Sequence, residues 1–101
     1  MSMTTKPWND FLYTQLAESE VFAVEYLNSA LEENDPAFLL KALRQVAEAR
    51  GGIGGLAQQT GLNRESLYRM LSENGNPTIT SLHEILDALG LQMQFMLKKA
   101  A

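Results

Sequence analysis

The sequence predicts an all-α domain of about five helices around one core, followed by a short C-terminal β-strand. Its 101 residues favour a single domain. Apolar residues, 46% of the total, recur along most of the chain at the three- and four-residue spacing of amphipathic helices. Ser, Thr, Asp or Asn precedes most of these stretches and Gly follows several, as expected at helix ends.

The spacing of apolar residues predicts the structure of residues 19–34 more clearly than that of residues 6–17. Residues 6–17 leave two alternatives open, because Leu12 and Leu16 suit a helix while the same segment could also pair with a strand. A helix is predicted over residues 19–34, with Ser19 as its N-cap. Its apolar face consists of Ala23, Val24, Leu27, Ala30 and Leu31.

Asp35-Pro36 begins the next predicted helix, since Asp is a favoured N-cap and Pro a favoured first helical residue. This helix is expected to end at Gly51-Gly52. Its buried stripe consists of Leu39, Leu43, Val46 and Ala47.

Two short helices follow, over residues 54–60 and 63–71. Gly61 separates them, and Asn63 is the expected cap of the second. Residues 72–77 are dense in turn-forming residues and predict a loop.

The last helix is predicted between its cap, Thr78, and Gly90. Its apolar face consists of Ile79, Leu82, Ile85, Leu86 and Leu89. Residues 91–97 then mostly alternate apolar and polar side chains, which predicts the one strand.

The net charge of −4 conceals a separation of charges along the chain. Residues 1–35 hold one lysine against seven carboxylates, whereas residues 36–71 hold five bases against two acids. These bases are Lys41, Arg44, Arg50, Arg64 and Arg69. The separation suggests two surfaces with different partners, although an acidic helix can equally be a solvated face.

We divide the predicted domain into three parts. Residues 1–34 form an acidic segment and helix, residues 35–90 the helical core, and residues 91–101 the C-terminal strand and tail.

Enzymatic functions find little support in the sequence. There is no cysteine, and the one histidine, His83, lies on a predicted helix where a solvent-facing position is expected. The glycines of residues 52–57 fit a dinucleotide-binding spacing, but a helix rather than a strand precedes them. We therefore predict a protein that is not an enzyme and needs no cofactor or metal.

Membrane and export signals are not expected either. No apolar run approaches the roughly 18 residues that span a bilayer. Residues 1–8 lack the apolar stretch of a secretory signal. A cytoplasmic protein is expected.

Residues 56–71 have the pattern of a helix-turn-helix, two helices joined by a short turn that contains Gly. Ala57 is small where the second helix crosses closely, and Gly61 suits a turn with positive φ. The apolar residues expected to fill the space between the two helices are Leu62, Leu67 and Met70.

The second helix of such a motif enters the major groove of DNA with its N-terminal residues. Arg can bond guanine through two donors, and Asn can bond adenine through both side-chain polar atoms. The residues expected to face DNA here are Asn63, Arg64, Glu65, Ser66, Tyr68 and Arg69. The motif thus predicts binding to double-stranded operator DNA.

This motif resembles the Cro/cI-like (XRE-type) helix-turn-helix superfamily, and more narrowly the HigA-like addiction-module antitoxins. The narrower resemblance rests on residues 25–36, 56–68, 75–78 and 89–91. It implies a small protein without catalytic activity that binds a RelE/HigB-like RNase toxin and represses its own operon.

The resemblance also implies further DNA contacts. Asn74, Asn76 and Thr78, in and after the loop, are implied to bind phosphates besides serving as turn and cap residues. Gly54 and Gly55 stand where relatives often carry Gln, so a contact there would come from backbone amides.

A repressor of a palindromic operator needs a homodimer. We expect the predicted strand to pair with its own copy across a two-fold axis, because its backbone groups need partners. The interface residues would be Leu91, Met93, Phe95 and Leu97. Two alternatives remain open: a stand-alone phage-type repressor, and a helical protein-interaction module that does not bind DNA.

Overall fold

A computed structural model describes residues 6–99; residues 1–5 and 100–101, which belong to the predicted acidic segment and tail, lie outside this range. The described range contains six α-helices, one more than the predicted number. They are α1 (Lys6–Glu18), α2 (Glu20–Glu32), α3 (Pro36–Ala49), α4 (Gly52–Thr60), α5 (Arg64–Met70) and α6 (Ile79–Ala88). None of the helices between residues 6 and 99 is long and apolar enough to cross a bilayer.

The additional helix is α1. Residues 6–17, for which the sequence left helix and strand open, are therefore helical. Leu12 and Leu16 stand four residues apart, so a helix puts both on one face. They are 2% and 0% exposed, and α1 packs against α2 and α3. The spacing alone would also fit one face of a strand, and the observed helix decides between the two.

The predicted caps of the middle helices are confirmed. The Ser19 hydroxyl accepts a hydrogen bond from the Phe22 amide at 3.0 Å at the start of α2. The Asp35 carboxylate accepts one from the Ala37 amide at 3.0 Å at the start of α3. Each cap satisfies an amide that its helix leaves without a partner. These two caps thereby fix where α2 and α3 begin.

One apolar core runs through the described helices. The buried residues come from α1 to α6 and include Leu71 at the end of α5. They are Leu12, Leu16, Ala23, Leu27, Leu40, Ala42, Leu43, Val46, Ala47, Ile53, Leu56, Leu67, Leu71 and Ile85. α3 packs against α1, α2 and α4, so it supports both the acidic helices and the helix-turn-helix.

Two polar contacts attach α1 to α3. Arg50, which follows α3, donates from Nη1 to the Leu16 carbonyl at 2.8 Å and to the Ala17 carbonyl at 3.3 Å. A cation at the carbonyl end of α1 also suits the helix dipole. The Tyr13 hydroxyl donates to Glu48 at 2.7 Å. Burial, with the neighbouring carboxylate, raises the pKa of Tyr13 to about 12.

The predicted C-terminal strand over residues 91–97 is not formed, so that prediction was wrong. Residues 91–99 have no regular secondary structure. A strand needs a partner for its backbone groups, and the segment that could have supplied one is the helix α1. The chain instead turns at Gly90, with φ of 79°, and the Leu91 amide donates to the Leu86 carbonyl at 2.8 Å.

Candidate nucleic-acid interface

α4 and α5 form the predicted helix-turn-helix. Gly61 ends α4 with φ of 75°, a conformation that costs glycine little, and its amide donates to the Ala57 carbonyl at 2.9 Å. Leu62 and Asn63 complete the turn before α5 begins. The short connection fixes the direction of α5 relative to α4.

Apolar side chains hold α5 against the rest of the domain. Leu67 and Leu71 are 0% and 1% exposed. Leu62 and Met70 are partly buried and pack against the same core. These contacts confirm the predicted packing of the turn and second helix, and they leave the other face of α5 in solvent.

The side chains predicted to face DNA are on that solvent face. Exposed are Asn63, Arg64, Glu65, Tyr68 and Arg69, whereas Ser66 is partly buried. Their exposure agrees with the expected orientation of the helix. Contact with DNA itself stays a prediction.

Asn63 already uses part of its hydrogen-bonding capacity within the protein. Its Oδ1 accepts from the amides of Glu65 at 2.8 Å and Ser66 at 3.1 Å, which caps α5. Bidentate pairing with adenine needs both the oxygen and the nitrogen of the side-chain amide. In this arrangement only the nitrogen is left to donate to a ligand.

Arg64 lies beside the first turn of α4. A methyl group added at Gly54 would be 3.7 Å from the Arg64 guanidinium, so the missing side chain leaves room for the arginine. A methyl group added at Gly55 would have no atom within 4 Å. The structure therefore brings Gly54 and Arg64 together, and it shows no such neighbour for Gly55.

Arg69 and Ser66, one turn apart, are bonded to each other. Nη2 of Arg69 donates to the Ser66 hydroxyl oxygen at 3.3 Å. Within the described part of the chain neither Arg64 nor Arg69 has a carboxylate in ion-pair range. Both positive charges are thus available to an anionic partner.

Tyr68 has a partner that the sequence did not suggest. The guanidinium of Arg44 on α3 lies 5.3 Å from the centre of the Tyr68 ring, at cation–π distance. Glu48 in turn accepts from Arg44 Nε at 3.2 Å. The Tyr68 side chain is 39% exposed. Arg44 therefore positions Tyr68, and no local pattern could reveal this contact between distant residues.

The loop after α5 is tightly joined to it. A side chain at Gly75 would collide with the Met70 carbonyl, so only glycine fits without a shift. Asn74 and Asn76 are exposed on either side of this glycine. The Thr78 hydroxyl accepts from the Ser81 amide at 3.0 Å and caps α6, as predicted.

The remaining predicted residues lie elsewhere. Leu91 is partly buried against the core, whereas Met93, Phe95 and Leu97 are exposed. His83 is exposed on α6, as expected. Residues 6–99 contain no group of His, Cys, Asp and Glu side chains arranged to hold a metal ion.

The chain is similar to known proteins in two comparisons. A family model described as "probable addiction module antidote protein" matches residues 8–97. An uncharacterized protein of Haemophilus influenzae (strain KW20 Rd) is 37% identical over 90 residues, which cover 89% of this chain and 92% of that protein. No solved structure matches the chain significantly.

Proposed function

The chain belongs to the family of probable addiction module antidote proteins, and from this premise we propose that it is a type II antitoxin that also represses its own operon. An antidote protein has a toxin as its partner. The HigA-like resemblance points to a RelE/HigB-like RNase as that toxin and to operator DNA as the second ligand. A cytoplasmic location, where both ligands occur, is part of the proposal.

One observation carries the DNA-binding part of the proposal. The exposed face of a short helix, held in a helix-turn-helix, presents Arg64 and Arg69 with no carboxylate partner in the described chain. DNA phosphates and guanines favour two such arginines, whereas a module that binds only protein would use them only against an acidic partner.

Each predicted residue has a role in this proposal. Arg64 reaches a guanine through two donors, and Glu65 accepts from a cytosine amino group. Asn63 donates from its remaining nitrogen, and Arg69, Ser66 and Tyr68 contact bases or phosphates further along the helix. The remaining contacts, to the DNA backbone, come from the amides of Gly54 and Gly55 and from the side chains of Asn74, Asn76 and Thr78.

The operator-binding form is a homodimer in this proposal. Two copies of α5 would enter successive major grooves about 34 Å apart. We assign the dimer interface to Leu91, Met93, Phe95 and Leu97, because three of these apolar side chains are exposed outside the helix-turn-helix.

Toxin neutralisation is assigned to the acidic helices. Seven carboxylates of residues 1–35 are all exposed: Asp10, Glu18, Glu20, Glu25, Glu32, Glu33 and Asp35. An RNase must bind a polyanion and so carries a basic surface, which this acidic surface would complement. Occupying that surface would exclude RNA from the toxin.

Fluorescence anisotropy of a labelled duplex tests the DNA-binding proposal. The duplex is taken from upstream of the gene, and a scrambled duplex of the same composition is the control. We expect tighter binding to the upstream duplex, with an affinity that falls as salt rises. Equal affinity for the two duplexes, or no binding to either, would contradict the proposal.

Co-expression with the neighbouring reading frame tests the antitoxin part separately. Growth arrest by that frame alone, relieved by this chain, is the expected result. A stand-alone repressor would bind the upstream duplex without relieving any arrest.

A further inference from the structure

An apolar groove of about 510 Å³ lies between α2, α3, α6 and residues 90–95. Val24 and Leu31 line it from α2, and Leu82 and Leu86 line it from α6. The spacing of all four predicts burial, yet Val24 is 41% and Leu31 55% exposed. One chain therefore leaves part of its own predicted core uncovered along this groove.

The C-terminal segment presents the complementary apolar surface. Phe95, Met96 and Leu97 are 98%, 90% and 96% exposed. Three consecutive large apolar side chains that are almost fully exposed are unusual on a monomer and are typical of an interaction site.

The segment is poorly suited to fill the groove of its own chain. Residues 90–95 already form one wall of the groove, with Leu91 packed against the core. Phe95 stands at the end of this wall with its side chain 98% exposed, and Leu97 would have to fold back over the wall to enter the groove. Residues 91–97 contain no Gly, Pro, Asn or Asp that would favour so sharp a turn.

The charges beside the groove match those beside the segment. Lys98 and Lys99 follow directly after Leu97 and are exposed. Glu25 and Glu32, exposed and two helical turns apart on α2, are the sequence neighbours of the groove residues Val24 and Leu31. Residues 20–35 contain no Lys or Arg, so the two lysines meet no repulsion along α2.

We infer that the groove receives residues 95–99 of a second copy of this chain, and that the exchange is reciprocal. This inference rests on the homodimer proposed above and specifies its contacts. Phe95 and Leu97 occupy the groove of the partner copy, while Lys98 and Lys99 pair with its Glu25 and Glu32. A two-fold axis makes both contacts occur twice, as in other symmetric dimers.

Cysteine cross-linking tests this arrangement, because the chain has no cysteine of its own. Phe95→Cys and Leu31→Cys are made in separate full-length chains, one carrying a tag that changes its size. The two are mixed, allowed to exchange and oxidised. Val21→Cys replaces Leu31→Cys in the control, since Val21 is on the same helix and exposed but does not line the groove.

A covalent heterodimer from Phe95→Cys with Leu31→Cys, several-fold stronger than with Val21→Cys, is the expected result. A stronger product from Phe95→Cys alone would mean that two C-terminal segments pair with each other, and would overturn the inference. Equal products with Leu31→Cys and Val21→Cys, or no product with either, would also overturn it.

Sedimentation of Leu31→Lys gives an independent readout. The side chain is exposed in the single chain, so the fold should persist, which circular dichroism checks. We expect the dimer dissociation constant to rise by about a hundredfold or more, since a lysine is placed in both copies of the apolar groove. A dimer of unchanged strength would refute the groove as its interface. Neither readout involves DNA or toxin, so failure of the groove interface and failure of the proposed function are separately visible.

Discussion

Replacing Arg64 with alanine removes the guanidinium that the structure leaves most available to DNA. The side chain is exposed, lies beside Gly54 in the first turn of α4, and has no carboxylate partner within residues 6–99. Alanine also favours helix at this first position of α5, so the variant should fold. Any decrease in operator affinity can then be assigned to the missing guanidinium.

The expected decrease follows from the surroundings of Arg64 and Arg69. A bidentate arginine–guanine pair contributes about 1–3 kcal/mol at each half-site, a factor of roughly 5 to 150 in affinity. Arg69 gives up its bond to Ser66 when it turns to DNA, which offsets part of its gain. We therefore expect both Arg64→Ala and Arg69→Ala to weaken binding, with Arg64→Ala the more severe.

Anisotropy titration of the upstream duplex at several salt concentrations measures both effects. If Arg64 bonds a base, Arg64→Ala reduces discrimination against the scrambled duplex. If Arg69 bonds a phosphate, Arg69→Ala weakens binding to both duplexes and lowers the salt dependence by about one ion for each phosphate. Wild-type affinity in both variants, with unchanged circular dichroism, would refute the assignment of this helix face to DNA.

Four further changes test other parts of the account. The double substitution Glu18→Lys, Glu33→Lys should slow association with a basic toxin by about tenfold or more, while operator affinity persists. An unchanged association rate would exclude this acidic surface as the toxin-binding site. Phe95→Lys should favour monomer in sedimentation and weaken operator binding together, and a dimer of unchanged strength would contradict this. Gly75→Ala should lower the free energy of unfolding in urea by about 1–3 kcal/mol, because the added methyl collides with the backbone; an unchanged free energy would show that the loop adjusts. The pKa of Tyr13 is about 12 in the folded chain, so stability should fall between pH 10 and about 12, and Tyr13→Phe should make that decline smaller; an unchanged decline would contradict this. Burial also raises the pKa of Tyr26, so part of the decline should remain in the variant.

Local signals in the sequence predicted most of the helical framework. The caps Ser19, Asp35, Asn63 and Thr78 each accept an amide hydrogen bond at the helix start that was predicted for them. The positive φ at Gly61 likewise follows from local sterics. Such features depend on a few neighbouring residues, which the sequence shows directly.

Contacts between distant residues could not be predicted in this way. The sequence alone suggests a surface aromatic at Tyr68, whereas the fold brings Arg44 of α3 over its ring. The alternation after Gly90 suggested a strand, but that pattern does not reveal whether a pairing partner exists. Val24 and Leu31 fit the apolar face of α2, yet the periodicity does not tell which part of that face the chain itself covers.

The candidate site also combines features that neighbouring residues predict with features that depend on the fold. The exposed face of α5 was predicted from its spacing, because a buried Leu67 puts the polar residues on the opposite side. The second role of Asn63 as a cap was expected, but its consequence for base recognition depends on the observed bonds to two amides. The close approach of Arg64 to Gly54 depends on how α4 and α5 cross, which a linear pattern does not fix.

Hydroxyl-radical footprinting of the region upstream of the gene tests most directly the claim that this antidote protein binds operator DNA through α5. The wild-type chain should protect two patches whose centres are about 10 base pairs apart, one for each copy of α5. The double variant Arg64→Ala, Arg69→Ala should protect neither patch at the same concentration. Protection that persists in the double variant, or its absence with the wild-type chain, would contradict the account.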